Sequence, residues 1–417
     1  MIEKVPQTWR ITNLGKIANE FISGGTPSTK EGKFWDGDIP WTTSAPISDT
    51  DIFIDCGQRF ITLEGLENSA SHLVPKGNLL VGTRVGVGKA VVNLIDIAIS
   101  QDLTGIVLNS SATPAFIAYQ FKTQRVTSFF FGRKRGTTIK GIARLDLHAL
   151  PLSIPILTEQ QAIVQALQAV QEAREARRRE AALERERKTA LMDYLFIHGT
   201  HGEPRKKTES GEIPQSWKMV RLNEVAKIER GKFAHRPRND PAFYGGEIPF
   251  IQTGDVALCD GHIRNYSQTL NERGLSVSKI FPKGIIVITI AANIGYTGIL
   301  DFDSAFPDSL IGITPKKHVN SEYLRFYLST QQPEMDRRAP RGTQKNINIE
   351  FLAPWPVILP PTTEQCEIAD ALRACEAKIA ALEQEATGLE ELFRAMLEEL
   401  MTGRLSALPL VEAGGGA

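Results

Sequence analysis

The sequence predicts an α+β protein in which two α/β domains, related by a pseudo-twofold axis, are separated by two long antiparallel helices that form a coiled coil. Three observations support this fold class. Short motifs recur in the same order in both halves of the chain. Each half changes from a Gly-rich, β-branched composition to a helical one, and the second helical segment carries an unbroken heptad pattern.

The internal repeat is the strongest of these signals. VPQTW, which starts at Val5, returns as IPQSW at Ile213, and IPW at Ile39 returns as IPF at Ile248. The motifs VPKG, RGT and TEQ of the first half return as FPKG, RGT and TEQ in the second, in the same order and at nearly constant separation. A repeat of this length indicates a duplicated domain, and such a protein is suited to a ligand that itself has two halves.

Local composition predicts the elements within each half. Residues 77–95 and 284–300 are rich in Gly and β-branched residues, which is typical of short strands broken by turns. Residues 113–131 and 320–338 have the apolar spacing of amphipathic helices. The expected order is a first α/β domain (1–157), a first long helix (158–197), a linker (198–212), a second α/β domain (213–361), a second long helix (362–403) and a disordered tail (404–417).

Each α/β domain is followed by a long helix with a proline just upstream. Thr158 and Thr363 are suited to cap these helices, because their hydroxyls can accept hydrogen bonds from the free N–H groups of the first turn. The apolar phase of the first helix is interrupted by charged residues between Val170 and Leu191. About 40 helical residues span roughly 60 Å, so the pair is expected to act as a spacer between the domains. The residues predicted to pair the helices or to contact a partner are Ile163, Leu167, Leu191, Leu195, Ile368, Leu372, Ile379, Leu382, Leu389 and Phe393.

The composition is that of an ordinary globular protein, with 417 residues, 48 basic and 48 acidic side chains. Residues 363–403 hold ten acidic and three basic residues, so the rest of the chain carries the opposite excess and can form basic surfaces. The four cysteines form no CxxC motif and are expected to be reduced thiols. With no apolar run of membrane-spanning length and no signal-peptide core, a cytoplasmic protein without a membrane partner is expected.

The segment between the halves, residues 198–212, is composed largely of Gly, Pro, Lys and Glu, which predicts a flexible linker. His198 and His201 lie there without a Cys or carboxylate at metal-binding spacing. A solvated linker is therefore favoured over a zinc site, and no metal ligand is assigned.

The catalytic motifs that the chain resembles at first sight are incomplete. GTRVGVGKA (82–90) has one residue too many for a phosphate-binding loop, and Ala90 lacks the hydroxyl that would bind magnesium. A turn between strands, with Arg84 and Lys89 facing outward, is expected instead. DPAFY (240–244) is similar to a segment of amino-methyltransferases, but no Gly-rich turn for a methyl donor precedes it. No catalytic residue is assigned, and the chain is expected not to be an enzyme.

Basic and amide-bearing segments recur at matched positions. GRKRGTTIK (132–140) corresponds to RRAPRGTQKNI (337–347), PWTTSAP (40–46) corresponds to PFIQTGD (249–255), and ERGKFAHRPR (229–238) adds a basic stretch. Solvated loops would explain any one cluster, but recurrence in a duplicated frame favours contact with DNA. The candidate DNA-binding residues are Thr42, Thr43, Ser44, Arg84, Lys89, Arg133, Lys134, Arg135, Thr137, Lys140, Lys232, Arg236, Arg238, Gln252, Thr253, Arg338, Arg341, Thr343, Gln344, Lys345 and Asn346.

The segment between IPW and VPKG shares little sequence with the segment between IPF and FPKG. A protein that recognises two different half-sites needs two domains of the same fold whose ligand-contacting segments differ in sequence.

The repeated motifs resemble, over nearly the whole chain, those of the specificity (S) subunit of type I restriction–modification enzymes. The resemblance rests on the PQTW and PQSW starts, the IPW and IPF turns, the RGT segments and the Pro-x-x-Thr-Glu-Gln junctions that lead into the helices. The junction pattern of the family, Pro followed by Glu-Gln and Ile, is matched by Glu159, Gln160 and Ile163 and by Glu364, Gln365 and Ile368.

The resemblance implies that two target-recognition domains each read one part of a split sequence on double-stranded DNA. It further implies that the two helices act as a ruler, that methyltransferase (modification) subunits dock on them, and that restriction/translocase subunits join the complex. S-adenosylmethionine, ATP and magnesium are then expected on the partner subunits, with no cofactor on this chain. Half-sites one helical turn apart lie about 34 Å from each other, which helices of roughly 60 Å can span.

Other interpretations remain open. The chain could be the DNA-recognition subunit of a related fused restriction–methyltransferase system, or a catalytically active relative such as a lone adenine methyltransferase or a restriction enzyme with fused domains. The active relative would need a cofactor loop and an active-site motif, both of which are missing, and methyl-donor binding by the purified protein would identify it. A coiled-coil adaptor that does not bind DNA would lack salt-dependent binding to duplex DNA.

Overall fold

The computed structural model describes residues 5–133, 141–208, 211–291, 293–340 and 345–409. The chain divides into two compact units, one formed by residues 1–178 with 384–417 and the other by residues 179–383. Both units combine β-sheets with helices, which confirms the predicted α+β class.

The first unit contains short strands and short helices followed by a long helix. Its strands are β1 (Arg10–Asn13), β2 (Ala18–Ser23), β3 (Trp35–Thr42), β4 (Phe53–Ile54), β5 (Arg59–Ile61), β6 (His72–Val74), β7 (Leu79–Gly82), β8 (Ala90–Asn93), β9 (Ile97–Ile99), β10 (Leu103–Leu108) and β11 (Pro151–Ile154). Its short helices are α1 (Leu14–Ile17), α2 (Leu63–Glu67), α3 (Pro114–Gln120), α4 (Gln124–Phe131) and α5 (Arg144–His148), and the first long helix, α6 (Leu157–His198), starts in this unit.

Three sheets organise the first unit. The five-stranded sheet has the order β2-β10-β7-β8-β4, the four-stranded sheet the order β5-β3-β9-β6, and β1 pairs with β11. The strands of the five-stranded sheet are antiparallel except for β4 and β8, which run parallel. All residues of β7, β8 and β9 are buried, which explains why this stretch of sequence is almost continuously apolar.

The second unit contains the remaining elements. Its strands are β12 (Arg205–Thr208), β13 (Gly211–Pro214), β14 (Lys218–Arg221), β15 (Ala226–Arg230), β16 (Tyr244–Phe250), β17 (His262–Ile263), β18 (Gln268–Leu270), β19 (Ile280–Phe281), β20 (Ile286–Thr289), β21 (Thr297–Leu300), β22 (Ser304–Ala305), β23 (Leu310–Pro315) and β24 (Pro356–Leu359). Its helices are α7 (Leu222–Val225), α8 (Thr253–Ala257), α9 (Glu272–Ser276), α10 (Ser321–Thr330), α11 (Gln332–Arg338), α12 (Ile349–Leu352) and the second long helix, α13 (Thr362–Thr402), which ends in the first unit.

The sheets of the second unit repeat those of the first. The five-stranded sheet has the order β15-β23-β20-β21-β17, the four-stranded sheet the order β18-β16-β22-β19, and β14 pairs with β24. Each strand occupies the place of its counterpart, including the parallel pair at the edge formed by β17 and β21. The duplication read from the sequence is therefore a duplication of topology.

Each compact unit includes part of both long helices, so the helices are not segments apart from the domains. In the first unit, Ile163 and Leu167 of α6 share a core with Phe393 and Leu400 of α13. In the second unit, Leu195 and Phe196 of α6 share a core with Ile368 and Leu372 of α13. The division expected from the sequence ends the two α/β domains at residues 157 and 361, which leaves the long helices out of their cores. In the structure, the buried apolar residues near the ends of both helices belong to these cores.

The two helices run antiparallel within each unit. In the first unit, Arg174 pairs with Glu390 and Arg177 Nε lies 3.1 Å from Glu385 Oε2. In the second unit, the counterparts are pairs of Lys188 with Glu376 (2.6 Å) and of Glu184 with Lys378 (3.1 Å). Partner numbers fall along α13 as they rise along α6, as antiparallel packing requires.

Two expected irregular segments are ordered where the structure describes them. The flexible linker prediction for residues 198–212 is wrong, since the N–H of Thr200 donates to Glu364 (2.8 Å), His201 lies 2.9 Å from Glu367, and β12 and β13 form a hairpin. The glutamates at the start of α13 supply the partners that the local composition does not reveal. The disordered tail prediction is wrong for residues 404–409, where Ala407 is fully buried, and its remainder lies outside the described residues.

Candidate nucleic-acid interface

Several of the predicted DNA-binding segments of the first unit meet at one edge of its five-stranded sheet, where β2 and β7 end and β10 begins. The N–H of Ile142 donates to the carbonyl of Thr83 (2.9 Å), so the end of the RGT-containing loop lies beside the turn after β7. The N–H of Ser100 donates to the carbonyl of Thr42 (2.9 Å), which brings the segment after β3 to the same edge.

The hydroxyl residues after β3 differ in their access to a ligand. Thr42 and Ser44 are 0% and 1% exposed, so the prediction that they contact DNA is wrong for this conformation, because both side chains face the protein interior. Thr43 is half-buried, and its hydroxyl donates to Gln58 Oε1 (2.8 Å). Thr43 is therefore the member of this cluster whose side chain reaches the edge.

The basic residues around the β7–β8 turn are held in different ways. Arg84 is exposed, as expected, whereas Lys89 does not face outward. Its ammonium donates to the carbonyl of Ile47 in the loop after β3 (2.5 Å). Lys122 holds the same loop through the carbonyl of Asp49 (2.5 Å), and burial lowers the pKa of Lys122 to about 8.

At the end of α4, Arg133 is exposed and lies over the ring of Phe129, with its guanidinium carbon 3.9 Å from the ring centroid. The stacked guanidinium is positioned at the start of the basic segment 132–140. Seven predicted residues lie outside the described residues: Lys134, Arg135, Thr137, Lys140, Arg341, Thr343 and Gln344.

The second unit gathers its predicted segments at the corresponding sheet edge, where β15 and β20 end and β23 begins. The N–H of Ile347 donates to the carbonyl of Ile290 (3.0 Å), and the N–H of Ile251 donates to the carbonyl of Ala305 (2.9 Å). The first bond matches the Ile142–Thr83 bond of the first unit. The second joins the end of β16 to β22, as the Ser100–Thr42 bond joins the end of β3 to the residue after β9, although the donor comes from the other strand. The same loops therefore converge in both units.

The basic stretch after β15 presents two arginines that share one carboxylate. Asp308 accepts from Arg236 at 3.3 Å and also pairs with Arg238. Arg236 and Arg238 are each about half exposed, while Lys232 is exposed on the same segment. A single carboxylate between two guanidiniums leaves an excess of positive charge, which suits phosphate contacts.

A cavity of about 290 Å³ opens beside Arg238. Gln252, which follows β16, donates from Nε2 to Oε1 of Gln268 on the neighbouring strand β18 (3.0 Å). The pairing register places Gln268 opposite Phe250, and Thr253 begins α8 just beyond. Gln252 and Thr253 are half-buried, and both stand at the edge where Thr43 stands in the first unit.

The predicted residues of segment 337–347 that the structure describes are Arg338, Lys345 and Asn346. Arg338 lies over the ring of Trp355 (5.0 Å), and Lys345 pairs with Asp336 (2.7 Å). Asn346 is exposed and its backbone bridges to Ala291 beside the β20 end. These partners hold the two cationic side chains close to the protein surface and leave the amide of Asn346 exposed.

Sequence reasoning missed two residues at this interface, Arg59 and Gln268. They occupy the same place, since Arg59 pairs with Trp41 as Gln268 pairs with Phe250. A signal was present in the motifs ITLEGL (61–66) and LNERGL (270–275), whose Thr62 and Asn271 cap α2 and α9. These motifs align the β3–β5 pair of the first unit with the β16–β18 pair of the second. The alignment shows that the two segments of unlike sequence contain an equivalent strand, β5 in one unit and β18 in the other.

The residues predicted to pair the helices lie in two classes. Leu191, Ile379 and Leu389 are partly buried, whereas the remaining members are buried within the units: Ile163, Leu167, Leu195, Ile368, Leu372, Leu382 and Phe393. The charged residues that interrupt the first helix are themselves part of the seam. Arg174 is 3% exposed and Glu184 is 5% exposed, and each of the two has a charged partner on α13.

A charged network connects the second α/β fold to its portion of α13. His262 lies 2.9 Å from Asp301 and 2.7 Å from Glu322, and Arg325 bridges Glu322 (3.1 Å) to Glu376 (2.9 Å). The hydrogen bond to Glu322, with that to Asp301, raises the pKa of His262. Within the described ranges, no group of His, Cys, Asp and Glu is arranged to hold a metal ion, and no helix is long and apolar enough to cross a membrane.

Comparison with known proteins identifies relatives that match two thirds or more of the chain. The family profile described as type I restriction modification DNA specificity domain matches residues 6–185 and again residues 214–391. The type I restriction enzyme MjaIX specificity subunit of Methanocaldococcus jannaschii is 26% identical over 287 residues, which cover 67% of this chain and 65% of that protein. The putative type I restriction enzyme MjaX specificity subunit of the same organism is 24% identical over 427 residues, which cover 97% and 95%.

A solved structure shares the fold. A chain from a structural study of complex assembly and conformational transition in the type I restriction–modification system superposes with a TM-score of 0.64 at 21% identity, covering 96% of this chain and 100% of that chain. The two copies of the family profile coincide with the two α/β folds whose sheet edges carry matched loops. The chain therefore belongs to the type I restriction-modification DNA specificity family.

Proposed function

We propose that this chain is the non-catalytic DNA-recognition subunit of a type I restriction–modification complex, and that it reads a bipartite target with one α/β domain per half-site. The observation that carries the proposal is the pair of matched sheet edges. Both are built from the same strands and loops, but they carry different side chains at equivalent places.

The difference between the edges is chemical as well as sequential. At the position opposite the IPW or IPF strand, the first domain has Arg59 and the second has Gln268. An arginine suits the two acceptors of a guanine edge, whereas a glutamine suits the donor and acceptor of an adenine edge. Arg84 and Arg133 in the first domain, and Arg236 in the second, are exposed cations that would contact phosphates.

The paired helices would supply the surface for methyltransferase subunits and set the distance between the two half-sites. On this proposal S-adenosylmethionine, ATP and magnesium bind the methyltransferase and restriction/translocase subunits, and the complex acts in the prokaryotic cytoplasm. Exposed charged residues along both helices, together with exposed apolar side chains such as Leu183, Tyr194 and Leu392, support a role as a docking surface.

The test is a methylation map. The chain would be co-expressed with its cognate methyltransferase subunits in a host that lacks adenine methylation, and modified adenines would be located by long-read sequencing. We expect one motif made of two specified blocks separated by a gap of fixed length. The methyltransferase subunits expressed without this chain are the control, and a continuous motif in the presence of the chain contradicts the proposal.

The ruler has its own test. Insertion of one heptad at facing positions of α6 and α13 lengthens each helix by about 10 Å at 1.5 Å per residue. The gap in the motif should then widen by about three base pairs, at roughly 3.4 Å each, while both half-sites stay the same. An unchanged gap in an active complex would show that the helices do not set the spacing.

A further inference from the structure

The cavity at the edge of the second domain has a lining that changes from apolar to polar toward solvent. Phe233 and Phe250 are 2% and 1% exposed, while Arg238 and Gln268 are exposed. Six of the residues around the cavity are Phe233, Arg238, Tyr244, Phe250, Gln252 and Gln268. Its volume of about 290 Å³ is at the lower end of the range of roughly 300–1,000 Å³ for small-molecule sites.

One hydrogen bond fixes the orientation of the exposed amide in this cavity. Gln252 Nε2 donates to Gln268 Oε1 at 3.0 Å, so the carbonyl side of Gln268 faces Gln252. A carbonyl oxygen has a second lone pair, and within the described part of the chain Gln268 Nε2 makes no hydrogen bond. Gln268 therefore presents a donor and an acceptor side by side in a fixed arrangement.

The aromatic residues around the cavity make this amide discriminating. Phe233, Tyr244 and Phe250 pack against one another, and the Tyr244 hydroxyl donates to the carbonyl of Arg238. Burial raises the pKa of Tyr244, so this hydroxyl stays protonated as a donor. A base edge that leaves a polar group unpaired in a partly desolvated site is rejected more strongly than it would be in open water.

Of the four bases, adenine matches this arrangement. Its major-groove edge carries the N6 amino donor next to the N7 acceptor, and a glutamine amide can bind both at once. Guanine offers two acceptors, cytosine a single donor, and thymine an acceptor with a methyl group. Arg238 would suit guanine, but its guanidinium is held by Asp308.

We propose that Gln268 is a specificity-determining residue that reads one adenine in the half-site of the second domain, and that Gln252 is the positioning residue that orients its amide. The inference rests on the proposed function and adds the base that one named side chain recognises. The equivalent strand position in the first domain carries a different side chain, Arg59, whose guanidinium carbon lies 3.7 Å from the Trp35 ring centroid.

The experiment uses the assembled methyltransferase complex and maps methylation genome-wide for Gln268→Ala, Gln252→Ala and Gln268→Glu. We expect Gln268→Ala to relax a single adenine position, with discrimination there falling by about 10- to 100-fold, and Gln252→Ala to relax the same position. Gln268→Glu replaces the donor by a second acceptor, so that position should shift toward cytosine, whose amino group a carboxylate accepts.

Gln215→Ala is the matched control, because Gln215 is an exposed glutamine of the same unit whose side chain is remote in sequence from the cavity segments. It should leave the motif unchanged. The shift produced by Gln268→Glu cannot arise from loss of folding, since an unfolded subunit gives no methylation at all.

The proposal is overturned if both Gln268 variants methylate the original motif unchanged, or if the altered position is a guanine. Either result would leave a bipartite motif in the wild-type map and so would not touch the proposed function. Absence of a bipartite motif for the wild-type complex would instead overturn the proposed function itself.

Discussion

Arg325 is a buried charge that joins α10 to α13 within the second unit. Its side chain is 4% exposed, with Nη2 2.9 Å and Nη1 3.2 Å from the two carboxylate oxygens of Glu376, and with Nε 3.1 Å from Glu322. The guanidinium carbon also lies 3.7 Å from the centroid of the Phe326 ring. Truncation of this side chain would remove a bidentate ion pair and leave two largely buried carboxylates without it.

We expect Arg325→Ala to lower the free energy of unfolding of the second unit by about 3 kcal/mol, the lower end of the roughly 3–5 kcal/mol for breaking a buried pair. The lower end applies because Lys188 Nζ remains 2.6 Å from Glu376. At about 2–4 °C per kcal/mol for a unit of this size, the melting temperature should fall by roughly 6–12 °C. Calorimetry of the full chain measures this change directly.

The first unit provides the matched control. The backbone N–H groups of Thr113 and Asn320 donate to the amide oxygens of the helix glutamines Gln160 and Gln365, each at 2.8 Å, so the two residues are equivalent. Counting from these residues, Ala118 takes the place of Arg325 and Gln171 takes the place of Glu376. The double variant Arg325→Ala with Glu376→Gln copies this natural solution and should recover part of the lost stability. A fall of less than about 2 °C for the single variant, or no recovery in the double, would refute the reasoning.

Three further outcomes are expected. The pKa of His262 is raised by its hydrogen bond to Glu322, so its stabilisation is complete below its ordinary pKa of about 6.5 and is lost as the pH rises through the raised value. The melting temperatures of the wild type and His262→Gln should therefore differ most near pH 6 and converge above the raised pKa, and a constant difference would contradict this. Arg236→Ala should weaken DNA binding equally for all sequences and reduce the slope of log affinity against log salt by about 0.9, which filter binding at several salt concentrations measures; an unchanged slope would exclude a phosphate contact. Arg59→Gln should change one guanine to adenine in the first half-site, and a methylation map that alters the second half-site would contradict that assignment.

Much of the fold could be predicted from the sequence because the same short motifs occur in both halves, and each occurrence supports the interpretation of the other. The heptads of the second helix and the Pro-x-x-Thr-Glu-Gln junctions are periodic or repeated, and they located both long helices to within a residue or two. The order of the segment that begins at Thr200 could not be predicted, because Glu364 and Glu367, which bind Thr200 and His201, lie far along the chain. Composition describes local preference and does not reveal distant partners.

At the candidate interface, too, some features could be predicted from residue type and others depend on tertiary packing. Exposed cations such as Arg84 and Arg236 could be placed on it from residue type alone. Residue type could not show that Thr42 and Ser44 are buried, since that depends on how the end of β3, which pairs with β9, and the residues after it pack in the folded unit. Nor could it show Gln268, whose importance comes from its pairing register opposite Phe250. Register is set by tertiary packing and is invisible to motif spacing.

The charged residues between the two helices can fix the register of the helix pair more strictly than apolar residues would. Buried ion pairs such as Arg174 with Glu390 contribute little net stability, since desolvation offsets much of the Coulomb attraction. They do penalise a shifted register, because each slip leaves Arg174 or Glu184 buried without its partner. We infer that the seam trades stability for a fixed register, which a pair of helices needs if it is to hold a constant spacing. Leucine at both Arg174 and Glu390 should then keep or raise the melting temperature while broadening the range of gap lengths that the complex methylates, and a single unchanged gap would count against this reasoning.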